Sequence, residues 1–491
     1  MDVLYLGFEN LKTILVAFIT LIIFYLLTRR EQGVPPGPNR WPVVGNLVSL
    51  IGRDTLNILA NLRMKYGDIY GIYFGSELTI FINGYDMIHE ALVKRGTVFS
   101  KRPKNQQRGP DHVAIVFGNG ASWKELRKFT LHAFRDLCFR KTGYTLEARI
   151  TEELAHLTEK LMNFNNKNVD ISHIVTLSFA NVIYSILHGR RAGYDDAKFK
   201  WYLEKLDEAF KVHVRTQVLN ACFPFLHYLP GDLLHEKVKD TVVKENMEYF
   251  DDICRMNYEN YKPGDDNCFI DFWIAAKENN EIFRKENLWV ILHDLMAAGS
   301  ETTATTLKWV IIALAKYPYI QKKLQRKVDK VIDKGKSPSI SDKMNLPYVE
   351  ATILEALRFG SAVPLSVPHA VLHDTIFKGY KIPKEATILP NIFSVHFDPD
   401  IFPEPDAFRP ERFLDEAEAS IIRSEKLIPF SLGPRSCLGE TLARMELFLY
   451  VTTLVQKLEF RAPDDVELPS LKGVFGLTRR PQDFKVKIHI R

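Results

Sequence analysis

From Leu288 to Lys316 the chain is apolar almost throughout, and no other stretch limits the possible folds so much. Its pattern predicts one long helix closed by Pro318, and a helix that is oily on nearly every side has to run through a core. At its centre Ala298-Gly-Ser-Glu-Thr-Thr303 replaces oil with small residues, an acid and hydroxyls, which are costly there unless used. Gly299 lets another plane approach the backbone, the Thr302 hydroxyl competes for a helical carbonyl and opens the ladder, and Glu301 relays protons from outside. A small-residue packing patch with satisfied hydroxyls is the other reading of the same residues.

Nearer the carboxyl end, Phe430-Ser-Leu-Gly-Pro-Arg-Ser-Cys-Leu-Gly439 sets a single cysteine in a turn suited to lie against something flat. Gly433 and Gly439 let the backbone bend and come close, Pro434 stiffens the turn, and Arg435 adds a planar cation. Glu440 to Tyr450 reads as a helix beginning at the cysteine, its positive end favouring the thiolate. Cys437 is therefore a candidate metal ligand, with a buried inert thiol as the alternative. A haem needs such a set: a thiolate under the iron, a guanidinium for a propionate, an apolar ring such as Phe430 beside the sulfur, and amide donors to temper it.

Composition fits a large enclosing domain. Of 491 residues 46% are hydrophobic and 12% aromatic, and no Gly/Ser or charge-rich linker divides them. The net charge of +5 is too small and dispersed for nucleic acid but suits an acidic partner or a membrane surface. Five unpatterned cysteines, Cys138, Cys222, Cys254, Cys268 and Cys437, point to a reducing, cytosol-facing domain. Thr13 to Thr28 is an uninterrupted apolar run followed by Arg29-Arg30. With Leu11 recruited and Lys12 snorkelling it nears the lower limit for a span. A cleaved signal peptide is the rival, but no small-residue cleavage site follows and the stronger positive charge lies after the run, which puts the rest of the chain on the cytosolic side. Gly33-Val-Pro-Pro-Gly-Pro38 then forms a stiff extended spacer.

Further along, a helix from Asp54 to Lys65 precedes a hairpin, Ile69–Phe74 and Leu78–Ile82, joined at Gly75-Ser-Glu77. Trp123 and Arg127 share a helical face. Arg127, Lys128, Arg135, Arg140 and Lys141 make a basic segment that would suit an acidic electron donor or be only a solvated face. Asn168 to Tyr261 reads as mostly helical, broken at Pro224 and Pro230. Val367-Pro-His369 reads as the start of a strand, and Glu355-Ala-Leu-Arg358 places opposite charges one helical turn apart.

Taken together, these stretches resemble the cytochrome P-450 superfamily. Phe430–Gly439 carries every fixed position of its signature Phe-x-x-Gly-x-Arg-x-Cys-x-Gly, and Ala298–Thr303 every position of its oxygen-activation motif. The anchor, proline hinge, W-x-x-x-R, E-x-x-R and Pro410-Glu-Arg-Phe413 follow in the family's order over essentially the full length. The resemblance implies a mainly α haem-thiolate fold with a small β-rich lobe, preceded by one transmembrane helix. The parts would be an anchor over 1–28, a linker over 29–39 and a monooxygenase domain over 40–491. It implies haem b with Cys437 as axial ligand, framed by Phe430, Gly433 and Gly439, and with Trp123, Arg127, His369 and Arg435 at the propionates. Thr302 and Glu301 would manage protons, and Glu355, Arg358 and Arg412 would form a buried ionic cluster for folding. An ordinary strand-end histidine is the other reading of His369. The implied partners are dioxygen, a small lipophilic substrate, the endoplasmic reticulum membrane and an NADPH-dependent flavoprotein reductase, with cytochrome b5 as an optional second donor and no nucleic acid.

More narrowly, Ser337–Asp342, Glu350–Ile353, Glu467–Gly473 and Asp483–Lys487 resemble the steroid 17-alpha-hydroxylases, within the branch that also holds the vertebrate xenobiotic-metabolising enzymes. The resemblance then places His293, Ala297, Ala298, Val363, Val367, Val474 and Phe475 around a steroid-sized lipophile. In the stretch Lys200 to Val218, Lys205 and Asp207 stand where those hydroxylases would carry neutral polar residues. Asp207 would accept from a sterane hydroxyl and Lys205 would suit a fatty-acid carboxylate, unless both are solvated. Two other classes remain as rivals, a reductase-independent haem-thiolate isomerase and a non-catalytic haem or lipid carrier.

Overall fold

A computed structural model describes residues 15, 16, 18–20, 24, 28–50, 54–104, 113–139, 145–223, 226, 231–232, 236–264, 266–277 and 281–491. The central helix spans Lys285–Lys316, three residues longer at its start than the pattern predicts, and from Thr303 to Ala315 every residue is buried. Pro318 opens the next helix, Pro318–Val331, at a position where the missing N–H would have had no partner. The central helix packs along Ser172–His188 and against Pro347–Gly360 and Glu440–Lys457, so it is wrapped as its composition requires. Gly120–Phe139 and Leu146–Met162 are two further helices, the second packed against Ser172–His188. Helices Ala197–Cys222 and Glu236–Asn260 fill the region read as mostly helical. Pro224 and Pro230, its expected breaks, lie outside the described residues.

The β structure is small. The expected hairpin is present as Ile69–Phe74 and Glu77–Ile82, antiparallel with Tyr70 opposite Phe81, and Thr387–Pro390 adds a parallel third strand beside Glu77–Ile82. Asn168–Val169, Val486–Ile490 and Leu458–Arg461 make a second three-stranded sheet, and two two-stranded ribbons complete the set. The strand expected at Val367–His369 does not form. His369 makes only an isolated bridge to Ile388, because the prolines at 364 and 368 leave few donors for a ladder.

Helix Pro347–Gly360 carries the ionic cluster. Arg358 Nε and Nη2 donate to Glu355 Oε2 and Oε1, both at 2.8 Å, with both side chains fully buried. The Arg409 amide donates to Glu355 Oε1 at 2.8 Å, and Arg412 Nε stands 3.0 Å from Oε2. One carboxylate thus ties a helix to the segment around Pro410–Phe413.

The expected anchor lies mostly outside the described residues. Those described within it, Leu15, Val16, Phe18, Ile19, Thr20, Phe24 and Thr28, are helical, and the apolar ones among them are exposed. Among the described residues no helix is long and apolar enough to cross a membrane.

Candidate active site

The cysteine turn is closed by its own backbone. The Cys437 amide donates to the Phe430 carbonyl at 2.8 Å, and the Ser436 amide to the Gly433 carbonyl at 3.0 Å. Gly433 sits at φ +75°, where a Cβ would lie 1.8 Å from the Leu92 carbonyl oxygen, so no other residue fits. Cys437 opens onto a cavity of about 270 Å³, which Phe430 and Gly439 also line. Helix Glu440–Lys457 starts at Gly439, as its position after the cysteine suggests. The thiol is nevertheless pushed up, chiefly by burial and also by Glu440, against the Gly439 amide and Arg127, which pull it down.

Around the same cavity stand Trp123, Arg127 and Arg435, brought together by helix Gly120–Phe139 and the cysteine turn. The Arg435 guanidinium lies 3.4 Å from the Trp123 ring centroid. Its Nε donates to the Ser100 carbonyl and its Nη2 to the Gly118 carbonyl, each at 2.7 Å, while Nη1 is buried without a partner among the described residues. Arg127 Nη2 donates to the Ser436 carbonyl at 2.8 Å, so this arginine turns inward and does not belong to an exposed basic face. Arg102, which the sequence reading did not single out, is a third cation at the cavity. Its Nη1 donates to the Pro368 carbonyl at 2.8 Å and its Nε to the Val116 carbonyl at 3.0 Å. Burial and mutual repulsion lower Arg102 to about 9 and Arg435 to about 8. His369 is not brought to the cavity wall. It stands behind Val367, with Nδ1 2.7 Å from the Phe99 carbonyl, and burial with Arg102 keeps it neutral.

On the central helix the Thr302 hydroxyl donates to the Ala298 carbonyl at 2.7 Å, as its position suggests, yet the helix continues unbroken and no opening of the ladder follows. Gly299 lines the cavity, but a Cβ there would lie 2.5 Å from Ile183 Cγ1. Its smallness therefore admits the neighbouring helix Ser172–His188. Glu301 accepts from Thr305 Oγ1 at 2.9 Å, and Lys308 Nζ approaches its Oε2 at 3.9 Å. Lys308, another residue absent from the sequence reading, is buried and donates to Thr176 Oγ1 at 2.9 Å. Burial lowers its pKa, while Glu301 raises it. Asp294 is structural here: its Oδ2 accepts the Ile115 and Val116 amides, each at 2.9 Å, holding that loop over the cavity.

A second cavity, about 570 Å³, meets the first at Ala298 and Thr302, which line both. His293, Ala297, Val363, Val367 and Phe475 line it as expected, whereas Val474 does not and is exposed. Neither expected polar orienter reaches it. Lys205 pairs with Glu208 at 2.9 Å on the outer side of its helix, and Asp207 is exposed. Both are turned out because Tyr202, Leu203 and Leu206 take the inner face. The lining instead includes Glu77, Gln217 and Glu301, and no Lys or Arg among the described residues.

The first cavity has one thiol, apolar walls, three mutually repelling arginines and a buried guanidinium nitrogen without a partner. Among the described residues no group of three or more His, Cys, Asp or Glu could hold a metal ion. A metal at Cys437 would have to bring its other ligands with it, and the apolar walls and cluster of arginines fit a carrier that is apolar with an anionic edge. The residues present fit a haem held through the cysteine thiolate.

The family model described as Cytochrome P450 matches residues 35–488. Cytochrome P450 2U1 of Homo sapiens is 33% identical over 508 residues, covering 95% of this chain and 91% of its own. Cytochrome P450 2C23 of Rattus norvegicus is 35% identical, covering 96% and 97%, and Cytochrome P450 2C39 of Mus musculus is 36% identical, covering 98% and 99%.

Proposed function

This chain belongs to the cytochrome P450 family, and from that membership we propose that it is a membrane-anchored monooxygenase acting on a neutral, steroid-sized lipophile with electrons from an NADPH-dependent flavoprotein reductase. It is a P450 monooxygenase, and its cofactor is haem b with a cysteine thiolate on the iron. The observation that carries the substrate reading is the meeting of two cavities at Thr302, one bounded by Cys437 and the other apolar and large enough for a lipophile.

Bound haem supplies the activation of dioxygen. The chain's own residues do the rest. Cys437 provides the thiolate, and Arg102, Arg127, Arg435 and the Trp123 edge receive the anionic rim. His369 stays off that rim, since it does not line the cavity and its Nδ1 lies 2.7 Å from the Phe99 carbonyl. Thr302 stands at the junction of the cavities with its proton on the Ala298 carbonyl, ready to turn toward a water, and Glu301 beside it is the acid that would resupply that proton. Among the described residues the walls of the second cavity hold no Lys or Arg, which favours neutral ligands, because a fatty-acid carboxylate buried there would lack a cation.

In this reading residues 1–28 anchor, 29–39 link and 40–491 catalyse, on the cytosolic face of the endoplasmic reticulum. Arg30 supports a fixed spacing: its Nη2 donates to the Pro35 carbonyl at 2.7 Å and the Gly71 carbonyl at 3.2 Å, tying the linker to the first sheet. Lys128 and Arg135 remain exposed for an acidic reductase, with cytochrome b5 as an optional second donor, while Arg140 and Lys141 lie outside the described residues. The test is titration of the purified protein with steroid, fatty-acid and polyaromatic panels, following the low-to-high spin shift and then product with reductase. Steroids should give both. If only fatty acids do, the neutral-lipophile reading fails while the monooxygenase assignment stands.

A further inference from the structure

Four helical and loop segments bury a line of polar side chains that the reaction described above does not use. Glu446, on Glu440–Lys457, is 1% exposed and lines the cavity that Cys437 opens onto, and among the described residues its Oε1 has no hydrogen-bond partner. One turn further along, the Tyr450 hydroxyl lies 2.8 Å from Ser178 Oγ on Ser172–His188, with both residues fully buried. Beyond Ser178 stands Glu153 of Leu146–Met162, 2% exposed, which accepts from the Tyr194 hydroxyl and pairs with Arg191 Nε at 3.1 Å. Ser178 also stabilises the charged forms of both Glu153 and Tyr194. Arg191, with a 22% exposed side chain, carries the line to the surface.

We propose that Glu153, Ser178, Tyr450 and Glu446 form a proton route between the surface at Arg191 and the cavity bounded by Cys437. A carboxyl group without a cation beside it does not stay in a core for stability, since an apolar residue of the same shape would cost less. Burial holds Glu446 as the neutral acid, so it carries a proton at the cavity wall. Glu153, raised to about 7 by burial against Arg191, Tyr194 and Ser178, takes and gives a proton near neutral pH. The hydroxyls between them each donate and accept, so a proton can pass without charging them. In one passage a solvent proton adds to the Glu153 carboxylate and its proton moves to Ser178 as that hydroxyl hands its own to Tyr450. In the same motion Tyr450 gives its own proton to the Glu446 carboxylate, which has released its proton into the cavity, so neither hydroxyl ever holds two. Each step breaks one O–H bond and forms one, and no electron moves. The groups facing this line are Arg191 and Tyr194 from the connection after Ser172–His188, Ser178 from that helix, Glu153 from Leu146–Met162, and Glu446 and Tyr450 from the cysteine helix.

The route rests on the cavity's place in the monooxygenase but is tested without turnover. Infrared spectra of the haem-loaded full chain should show a protonated carboxyl band that Glu446→Gln removes. After a jump into deuterated water its isotope shift should appear more slowly in Tyr450→Phe and in Ser178→Ala. The expected slowing is on the order of tenfold, the factor that one lost hydrogen bond of about 1.4 kcal/mol corresponds to. Tyr184→Phe, a buried tyrosine off the line, should leave the rate alone. An unchanged rate in both Tyr450→Phe and Ser178→Ala, equal slowing in Tyr184→Phe, or a band that survives Glu446→Gln overturns the route.

Discussion

Lys308 Nζ lies 3.9 Å from Glu301 Oε2 and 2.9 Å from Thr176 Oγ1, so a buried lysine two turns along the same helical face stands beside the acid next to Thr302. Lys308→Met should leave that carboxylate without its neighbouring cation. The expected outcome is less product and more hydrogen peroxide per NADPH, with Lys308→Arg restoring much of the coupling. Equal coupling in the Met and Arg variants would remove Lys308 from any part in the reaction.

Cys437→Ser should abolish the strongly red-shifted Soret band of the reduced carbon monoxide complex. The cavity-lining hydroxyls that precede the sulfur in sequence, Ser431 and Ser436, cannot replace a thiolate. A variant that keeps the band would mean that the ligand lies elsewhere.

Gly433→Ala tests the turn without touching the sulfur. A methyl placed 1.8 Å from the Leu92 oxygen, at φ +75°, forces the loop to move. Expression of the variant should give protein that loses haem on dilution, read as a falling Soret absorbance. Normal retention would show that the turn is softer than its packing indicates.

Glu355→Gln removes the carboxylate that Arg358 and Arg412 share. Leaving two buried guanidinium groups without their counter-charge should cost roughly 3–5 kcal/mol, measured by urea unfolding of the holoprotein. A loss of under about 1 kcal/mol would place this cluster with exposed pairs.

Glu153 adds a pH dependence. Its folded value near 7 lies above the ordinary 4.5, so its contribution to stability is full below the ordinary value and is lost as pH rises through 7. The loss amounts to roughly 3 kcal/mol at about 1.4 kcal/mol per unit. Glu153→Gln should therefore close the gap to wild type as the pH rises from 5 to 8, in thermal unfolding followed across that range. Parallel curves would contradict the raised value.

The parts of the site that could be read from the chain are those set by local spacing. Cys437 with Gly433, Trp123 with Arg127, and Glu301 with Thr302 each lie within one turn or one helix, and a short pattern exposes them. Arg102 has no such pattern, since Lys101-Arg-Pro103 looks like a basic surface segment until the Val367 and Pro368 carbonyls close over it. Lys308 was hidden for a similar reason: only the neighbouring helix, through Thr176, shows what a lone lysine in an oily run is doing. Lys205 and Asp207 illustrate the converse. Their helix has polar residues on more than one face, so which face turns inward is settled by Tyr202 stacked on Tyr249 and not by the residues themselves. The fold was legible where a helix is apolar all round, and not at Val367–His369, where two prolines spoil an otherwise strand-like run.

The hydrogen bond from Arg435 to the Ser100 carbonyl joins residues 335 positions apart. At ribosomal speeds of about 5–20 residues per second, roughly 20 to 70 s pass between the synthesis of its two ends. Throughout that interval Arg102 and Arg127 exist without the cysteine turn, and the pocket has no floor. Cofactor loading is thus an event of the finished polypeptide. A ribosome stalled before the codon for Cys437 should carry a nascent chain unable to take up haem, however well its first four hundred residues have collapsed.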